Sequence, residues 1–74
     1  MNSYTFEVIN FSNGDKYVGE LKDGKRQGRG FYIWQEGSGI TWYGWWSDDK
    51  RNGYGILIYD EGKSLRTGTW KDDK

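Results

Sequence analysis

The chain has 74 residues, equal numbers of acidic and basic side chains, and neither cysteine nor histidine. A domain of this size removes only about 60% of its unfolded surface from water, so its core is small. The two missing residue types exclude a disulfide framework, the usual zinc sites and histidine-based catalysis. The zero net charge argues against nucleic-acid binding, which normally needs a basic excess. We therefore expect no cofactor, no metal and no nucleic-acid partner.

The composition predicts an all-β protein. Glycine occurs 12 times, the aromatic residues are five Trp, six Tyr and three Phe, and proline is absent. No segment repeats its apolar residues with a helical period. No apolar stretch is long enough for a transmembrane helix, and the first ten residues contain no signal-peptide core. We expect a soluble protein of the cytoplasm.

Six strands are predicted in chain order, near residues 5–11, 16–22, 28–35, 41–47, 53–60 and 64–71. Each is rich in aromatic or β-branched residues and is bounded by clusters of Gly, Asp, Asn and Lys, which is typical of hairpins. Since the connections are short, consecutive strands should pair antiparallel. The prediction is a single-layer meander.

A repeat runs through these strands. Residues 17–21, 42–46 and 66–70 read Tyr-Val-Gly-Glu-Leu, Trp-Tyr-Gly-Trp-Trp and Arg-Thr-Gly-Thr-Trp, and the first two copies continue with Lys-Arg and a Gly-x-Gly motif. We divide the single domain of residues 1–74 into a half unit (4–14), a repeat (17–37), a second repeat (42–62) and a truncated repeat (66–74). One such unit cannot bury its own apolar face, so neighbouring units must stack.

The repeat resembles the MORN family, whose unit reads roughly Tyr-x-Gly-x-Trp-x-x-Gly-Lys-x-x-Gly-x-Gly before a second strand. The resemblance covers essentially the whole chain and implies a curled antiparallel sheet, built from about three hairpin repeats, with an aromatic interior. The sequence departs from the pattern at several positions. Leu21 replaces a Trp, Trp42 and Arg66 each replace a Tyr, and Asp49 replaces a turn glycine.

Alternation along the strands assigns side chains to two faces. The first face, which the resemblance implies is the interior, holds Ile9, Phe11, Tyr17, Leu21, Tyr32, Trp34, Trp42, Trp46, Leu57, Tyr59 and Trp70. The strand glycines lie between these residues. A glycine lets an aromatic ring of the adjacent strand lie flat across the backbone.

The second face is also apolar. A sheet exposed on one side should alternate apolar and polar residues, but residues 31–34 and 56–59 are apolar throughout. No remaining segment can cover this face, and contiguous exposed apolar patches mark interaction sites. Besides Phe6, Val8 and Val18 it holds the predicted partner-binding residues Phe31, Ile33, Tyr43, Trp45, Tyr54, Ile56 and Ile58. The occupant is another protein or a second copy. In the alternative, the sheet curls until its own aromatics cover both sides.

The sequence contains little that indicates a catalytic or ligand-binding site. The paired acids lie at predicted turns or near residue 74, where they serve turn geometry and solubility. They lack the dense ligand spacing of a calcium loop. Residues 24–30 look superficially like a phosphate-binding loop but lack its Gly-Lys-Ser/Thr ending and the following helix. We expect no enzyme activity and no small-molecule substrate.

Binding to an anionic membrane surface is the alternative function, because proteins that contain MORN repeats are often associated with phosphoinositides and membrane junctions. The candidate residues are Lys25, Arg26, Arg29, Lys50 and Arg51, although nearby aspartates dilute their charge. The resemblance also permits a role as a stoichiometric inhibitor or antitoxin. The sequence leaves inhibitor, scaffold and assembly subunit open.

Overall fold

The computed structural model describes residues 4–35 and 37–74, which form one six-stranded antiparallel sheet. The strands are β1 (Thr5–Asn10), β2 (Lys16–Lys22), β3 (Lys25–Ile33), β4 (Thr41–Ser47), β5 (Lys50–Tyr59) and β6 (Ser64–Trp70). Their order in the sheet is their order in the chain. The predicted all-β meander is therefore confirmed, and the described part of the chain contains no helix.

Tight turns join the strands of each hairpin. Asp23 and Gly24 connect β2 to β3 with φ angles of 54° and 77°, and Asp48 and Asp49 connect β4 to β5 with φ angles of 49° and 68°. Two central residues with positive φ are typical of the turn whose twist matches a two-residue β-hairpin. Because these turns are so short, β3 and β5 begin three residues earlier than the sequence predicted.

Five glycines form a continuous row across the sheet. The strand register places them side by side on β2 to β6, in the order Gly19, Gly30, Gly44, Gly55 and Gly68. On β1 the row continues with Glu7, which lies opposite Gly19. We call these five residues the glycine row.

Aromatic rings lie directly on this row. A Cβ atom built at Gly30 would overlap the Tyr17 hydroxyl group, and one built at Gly55 would overlap the indole ring of Trp42. Each ring thus covers a backbone that has no side chain of its own. Gly68 differs, because the nearest atom to a Cβ there would be Cζ3 of Trp70, at 3.9 Å.

The core is an aromatic cluster on the first face. Its buried centre is Tyr17, Leu21, Trp42 and Trp46. Partly buried side chains surround it, namely Ile9, Phe11, Tyr32, Trp34, Leu57 and Trp70. These ten residues were all predicted to lie on the interior face. Tyr59 was predicted with them, but it is 37% exposed and lies outside the cluster.

Edge-to-face contacts hold the centre of the core together. The ring centroids of Trp42 and Trp46 are 5.4 Å apart with an interplanar angle of 90°, and those of Tyr17 and Trp46 are 5.3 Å apart at 86°. Such pairs contribute about 0.5–1.5 kcal/mol each beyond the burial of their area. The first pair lies within β4, and the second joins β2 of the first repeat to β4 of the second. Aromatic contacts within and between repeats therefore replace the aliphatic core of a larger domain.

We predict that Gly55→Ala destabilises the protein by about 1–3 kcal/mol, because the new methyl group must displace the Trp42 ring from a packed site. Gly68→Ala is the matched control. Its Cβ has room, so its unfolding free energy should be unchanged or raised by about 0.4–1 kcal/mol. Urea unfolding of dilute protein, followed by tryptophan fluorescence, measures both. Equal losses in the two variants would contradict the ring-on-glycine contact.

Candidate interaction surfaces

A charged contact links the first full repeat to the second on the core face. Arg26 Nε lies 3.1 Å from Asp49 Oδ1, and the backbone N–H of Arg26 donates to the same oxygen at 2.8 Å. Asp49 in turn donates its backbone N–H to the carbonyl of Arg26 at 3.1 Å. The guanidinium also lies over aromatic rings, with Cζ 4.7 Å from the centroid of Trp46 and 5.6 Å from that of Tyr32. We call this arrangement the interrepeat clasp.

The clasp recurs one repeat later. Arg51 Nε lies 3.1 Å from Asp73 Oδ1, the backbone N–H of Arg51 donates to that oxygen at 2.8 Å, and Asp73 donates its N–H to the Arg51 carbonyl at 2.9 Å. Here Cζ of the arginine lies 5.4 Å from the ring of Trp34 and 5.9 Å from that of Trp42. The same atoms are used twice, so the clasp is a feature of the repeat.

The clasp explains why Asp49 replaces the family's turn glycine. The position has a φ of 68° in the second repeat, and the equivalent Gly24 in the first has a φ of 77°. Glycine adopts this left-handed conformation freely, and aspartate is among the few other residues that tolerate it. Only aspartate also supplies the carboxylate that binds Arg26.

The aspartates of the clasps have lowered pKa values. Burial alone would raise the pKa of Asp49, but hydrogen bonds from the backbone and side chain of Arg26 lower the pKa by more. Arg51 has the same effect on the pKa of Asp73. A carboxyl group whose pKa is lower in the folded state stabilises the fold above its unfolded pKa. It loses that contribution as the pH falls through the folded pKa.

The clasps also line a hollow on the core face, an open cavity of about 230 Å³. Its walls are Arg26, Tyr32, Trp34, Trp46, Arg51 and Asp73. Both arginines in the wall are paired with carboxylates, and the wall's one carboxylate is itself paired. In residues 4–35 and 37–74 there is no group of three or more acidic residues that could hold a metal ion. The cavity therefore offers neither an acid/base pair nor an uncompensated charge.

The predicted lipid-binding residues are spread over the molecule. Arg26 and Arg51 belong to the clasps on the core face, while Lys25 and Lys50 are exposed beside the hairpin turns. Arg29 lies on the second face, with Cζ 5.5 Å from the ring of Trp45. The structure does not bring these five side chains together into one basic cluster.

The predicted partner-binding residues share the second face. Phe31, Tyr43 and Ile56 lie side by side on β3, β4 and β5, and the rings of Phe31 and Tyr43 are 4.4 Å apart. Ile33 and Ile58 flank Thr41 in the next row of the sheet. All four isoleucine and tyrosine side chains named here are half-buried.

Large aromatic side chains on this face are open to solvent. Phe31 is 40% exposed, Trp45 47% and Tyr54 57%. For these residues the alternative prediction, in which the sheet curls to cover both of its sides, does not hold. We call the seven partner-binding residues of the sequence prediction the apolar patch.

Exposed apolar side chains of the second face also lie outside the apolar patch. Phe6 and Val8 on β1 are 71% and 56% exposed, and Val8 continues the row of Val18 and Phe31 across the sheet. Phe6 and Phe31 help line a shallow cleft of about 350 Å³ on this face. Both β1 residues were placed on the second face from the sequence but left out of the binding set. Their alternation with Thr5, Glu7 and Ile9 was the signal that could have included them.

Comparison with models of known protein families identifies the repeat. The model of the MORN repeat matches residues 17–39 and 42–64, which together make up more than half of the chain. Each match begins at the residue whose ring covers the glycine row, Tyr17 or Trp42. A search of curated proteins finds no significant match. Within the described ranges there is no helix long and apolar enough to cross a membrane.

We predict that replacing both clasp aspartates, Asp49→Asn with Asp73→Asn, lowers stability near neutral pH by roughly 0.2–1 kcal/mol per clasp, since the pairs are partly exposed to solvent. The difference from wild type should shrink as the pH falls below 3.8, the ordinary aspartate value, because wild type then loses the same charges. Urea midpoints between about pH 6 and pH 2 measure this. Asp48→Asn is the control, because Asp48 forms no ion pair in the described part of the chain. A pH-independent difference would contradict the role assigned to the charges.

Proposed function

We propose that this chain, which belongs to the MORN repeat family, binds a partner protein or a second copy of itself through the apolar patch of its second face. MORN repeats are generally non-catalytic modules for protein or membrane interaction. The observation that carries the proposal is the exposure of aromatic side chains in one continuous patch, on a sheet whose other face already holds the core.

The patch has the anatomy of an interface. Trp45 and Tyr54 are of the residue types that dominate binding energy in protein complexes. A polar border lies beside them, because the backbone N–H of Arg29 donates to Glu20 Oε1 at 2.7 Å and the Arg29 guanidinium lies over Trp45. An aromatic centre beside paired polar groups supports burial against another protein surface.

A small protein without catalytic groups acts on its target by occupying a surface. We therefore include a stoichiometric inhibitor or antitoxin among the roles of this binding module. The zero net charge of the chain supports such a role, since binding then depends on contact with one surface rather than on general attraction to charged polymers. The cytoplasm remains the expected location.

Membrane binding is the second candidate, and the family-level association with membranes supports it. Exposed Lys25 and Lys50 beside the hairpin turns would be its contact residues. It is the weaker candidate, because the two arginines predicted to join them are paired with aspartates in the clasps. Stable electrostatic attachment normally requires a denser basic cluster.

We predict that Trp45→Ser combined with Ile56→Ser weakens binding to a partner protein at least about tenfold while the chain stays folded, because Trp45 is half-exposed and Ile56 half-buried on the face opposite the core. Tyr59→Ser is the matched control, an exposed aromatic outside the apolar patch. Affinity capture from the source cell with all three baits, and light scattering of each purified chain, give the readout. If the double variant retains the same proteins and the same assembly state as wild type, the patch is not the interface.

A vesicle assay separates the two candidates. We predict that the chain does not sediment with phosphoinositide-containing vesicles beyond its background with neutral vesicles. Sedimentation that fades as salt is added would instead support the membrane candidate, because exposed charges are screened within about 10 Å at 0.1 M salt. Lys25→Glu with Lys50→Glu would then abolish it, whereas Trp45→Ser would not.

A further inference from the structure

The two edges of the sheet carry features that the fold of one chain leaves unexplained. Among the described residues, β1 pairs only with β2, and β6 pairs only with β5. An edge strand presents unpaired backbone groups that can accept another strand. The features are Gly68 and Arg66 on β6 and Glu7 on β1.

Gly68 is the counterpart of Gly44 in the preceding repeat, but it lacks the close backbone contact that makes glycine necessary at Gly44. At Gly44, a Cβ atom would lie 2.7 Å from the Cα of Gly55, an atom of the following strand of the same hairpin. Within residues 4–35 and 37–74 no strand pairs with the outer edge of β6, and a Cβ at Gly68 would meet only Trp70, at 3.9 Å. The glycine therefore leaves open the space that a following strand would fill.

Arg66 stands where the first two repeats have a ring. It lies opposite Leu57, as Trp42 lies opposite Tyr32 on the preceding strand pair. The ring of Trp42 crosses from β4 to the next strand and covers Gly55 there. A strand added beyond β6 would place its equivalent of Gly55 within reach of the Arg66 guanidinium.

Glu7 stands where the second strand of each full repeat has its glycine. It lies opposite Gly19, as Gly30 lies opposite Gly44 and Gly55 lies opposite Gly68. At the two edges, a cation on β6 thus stands in the position of the aromatic ring, and a carboxylate on β1 stands in the position of the glycine that the ring covers. The two departures from the repeat are complementary in charge, and both lie on the core face.

We infer that β6 of one copy pairs antiparallel with β1 of a second copy, in the register that the two internal hairpins use. Gly68 then lies opposite Glu7, Thr67 opposite Val8, and Arg66 opposite Ile9. Arg66 reaches diagonally to Glu7 of the next copy, as Tyr17 reaches Gly30 within one chain. Since β6 is the first strand of a repeat and β1 the second strand of one, the junction completes a repeat. The interface is head to tail, so further copies add in the same way.

This junction uses strand edges and none of the seven residues of the apolar patch. Backbone pairing supplies general affinity, and the register-specific residues supply selectivity for a second copy of this chain over other strands. The glycine row continues across the junction, with Glu7 of the second copy placed between Gly68 of the first and its own Gly19.

Charge reversal tests the junction. We expect sedimentation velocity of the full chain to show concentration-dependent assembly. Arg66→Glu alone and Glu7→Arg alone should each raise the concentration needed for assembly about tenfold, because like charges then face each other. An equimolar mixture of the two variants should assemble again, since each then meets an opposite charge on its neighbour. A wild-type chain that stays monomeric up to about 1 mM, or a mixture no better than either variant alone, overturns the inference.

Disulfide trapping tests the register and distinguishes the edges from the patch. The chain has no native cysteine, and directly opposed residues of paired strands have Cα atoms about 4.5–5.5 Å apart, within the range that a disulfide spans. Val8→Cys mixed with Thr67→Cys should give a mixed dimer on mild oxidation, whereas Val8→Cys mixed with Thr69→Cys should give several-fold less. The Val8–Thr67 crosslink should persist in a Trp45→Ser, Ile56→Ser background. Equal crosslinking at both positions, or loss in that background, overturns the edge junction.

Discussion

The contact of an aromatic ring with a glycine backbone is the interaction on which this fold depends. A single-layer sheet has no second layer to cover it, so its core must be built from side chains that lie flat on their own sheet. Tyr17 and Trp42 do this over Gly30 and Gly55, and the surrounding aromatics pack against their edges. Gly30 and Gly55 are glycines because a side chain at either position would occupy the space of a ring.

The interrepeat clasp joins successive units on the same face. Because the cation of Arg26 or Arg51 pairs with an aspartate and also lies over indole rings, one side chain connects the charged turns to the aromatic core. The pairing of these arginines has a consequence for binding. Two of the basic residues that would otherwise suit an anionic surface are engaged within the fold, so the molecule offers apolar contacts on its second face rather than a basic cluster.

Placing the core on one face leaves the other face and both edges to be explained. The second face combines half-buried aliphatic residues with exposed aromatics, which suits burial against a partner. The edges depart from the repeat at Glu7 and Arg66, and Gly68 on β6 lacks the close backbone contact of its counterpart Gly44. A repeat fold can therefore specify two kinds of contact, one through side chains of a face and one through the strand pairing that already propagates the repeat.

The sequence by itself determined the six strands, their order and ten residues of the core, because glycine and aromatic spacing encodes both the strand period and the ring positions. Only the tertiary structure decided where β3 and β5 begin, that Tyr59 lies outside the core, and that Arg26 binds Asp49. The physical reason is how far apart in the sequence the interacting residues lie. Strand alternation is a local property, whereas the clasp joins residues 23 positions apart, and it forms only when neighbouring repeats are aligned by the sheet.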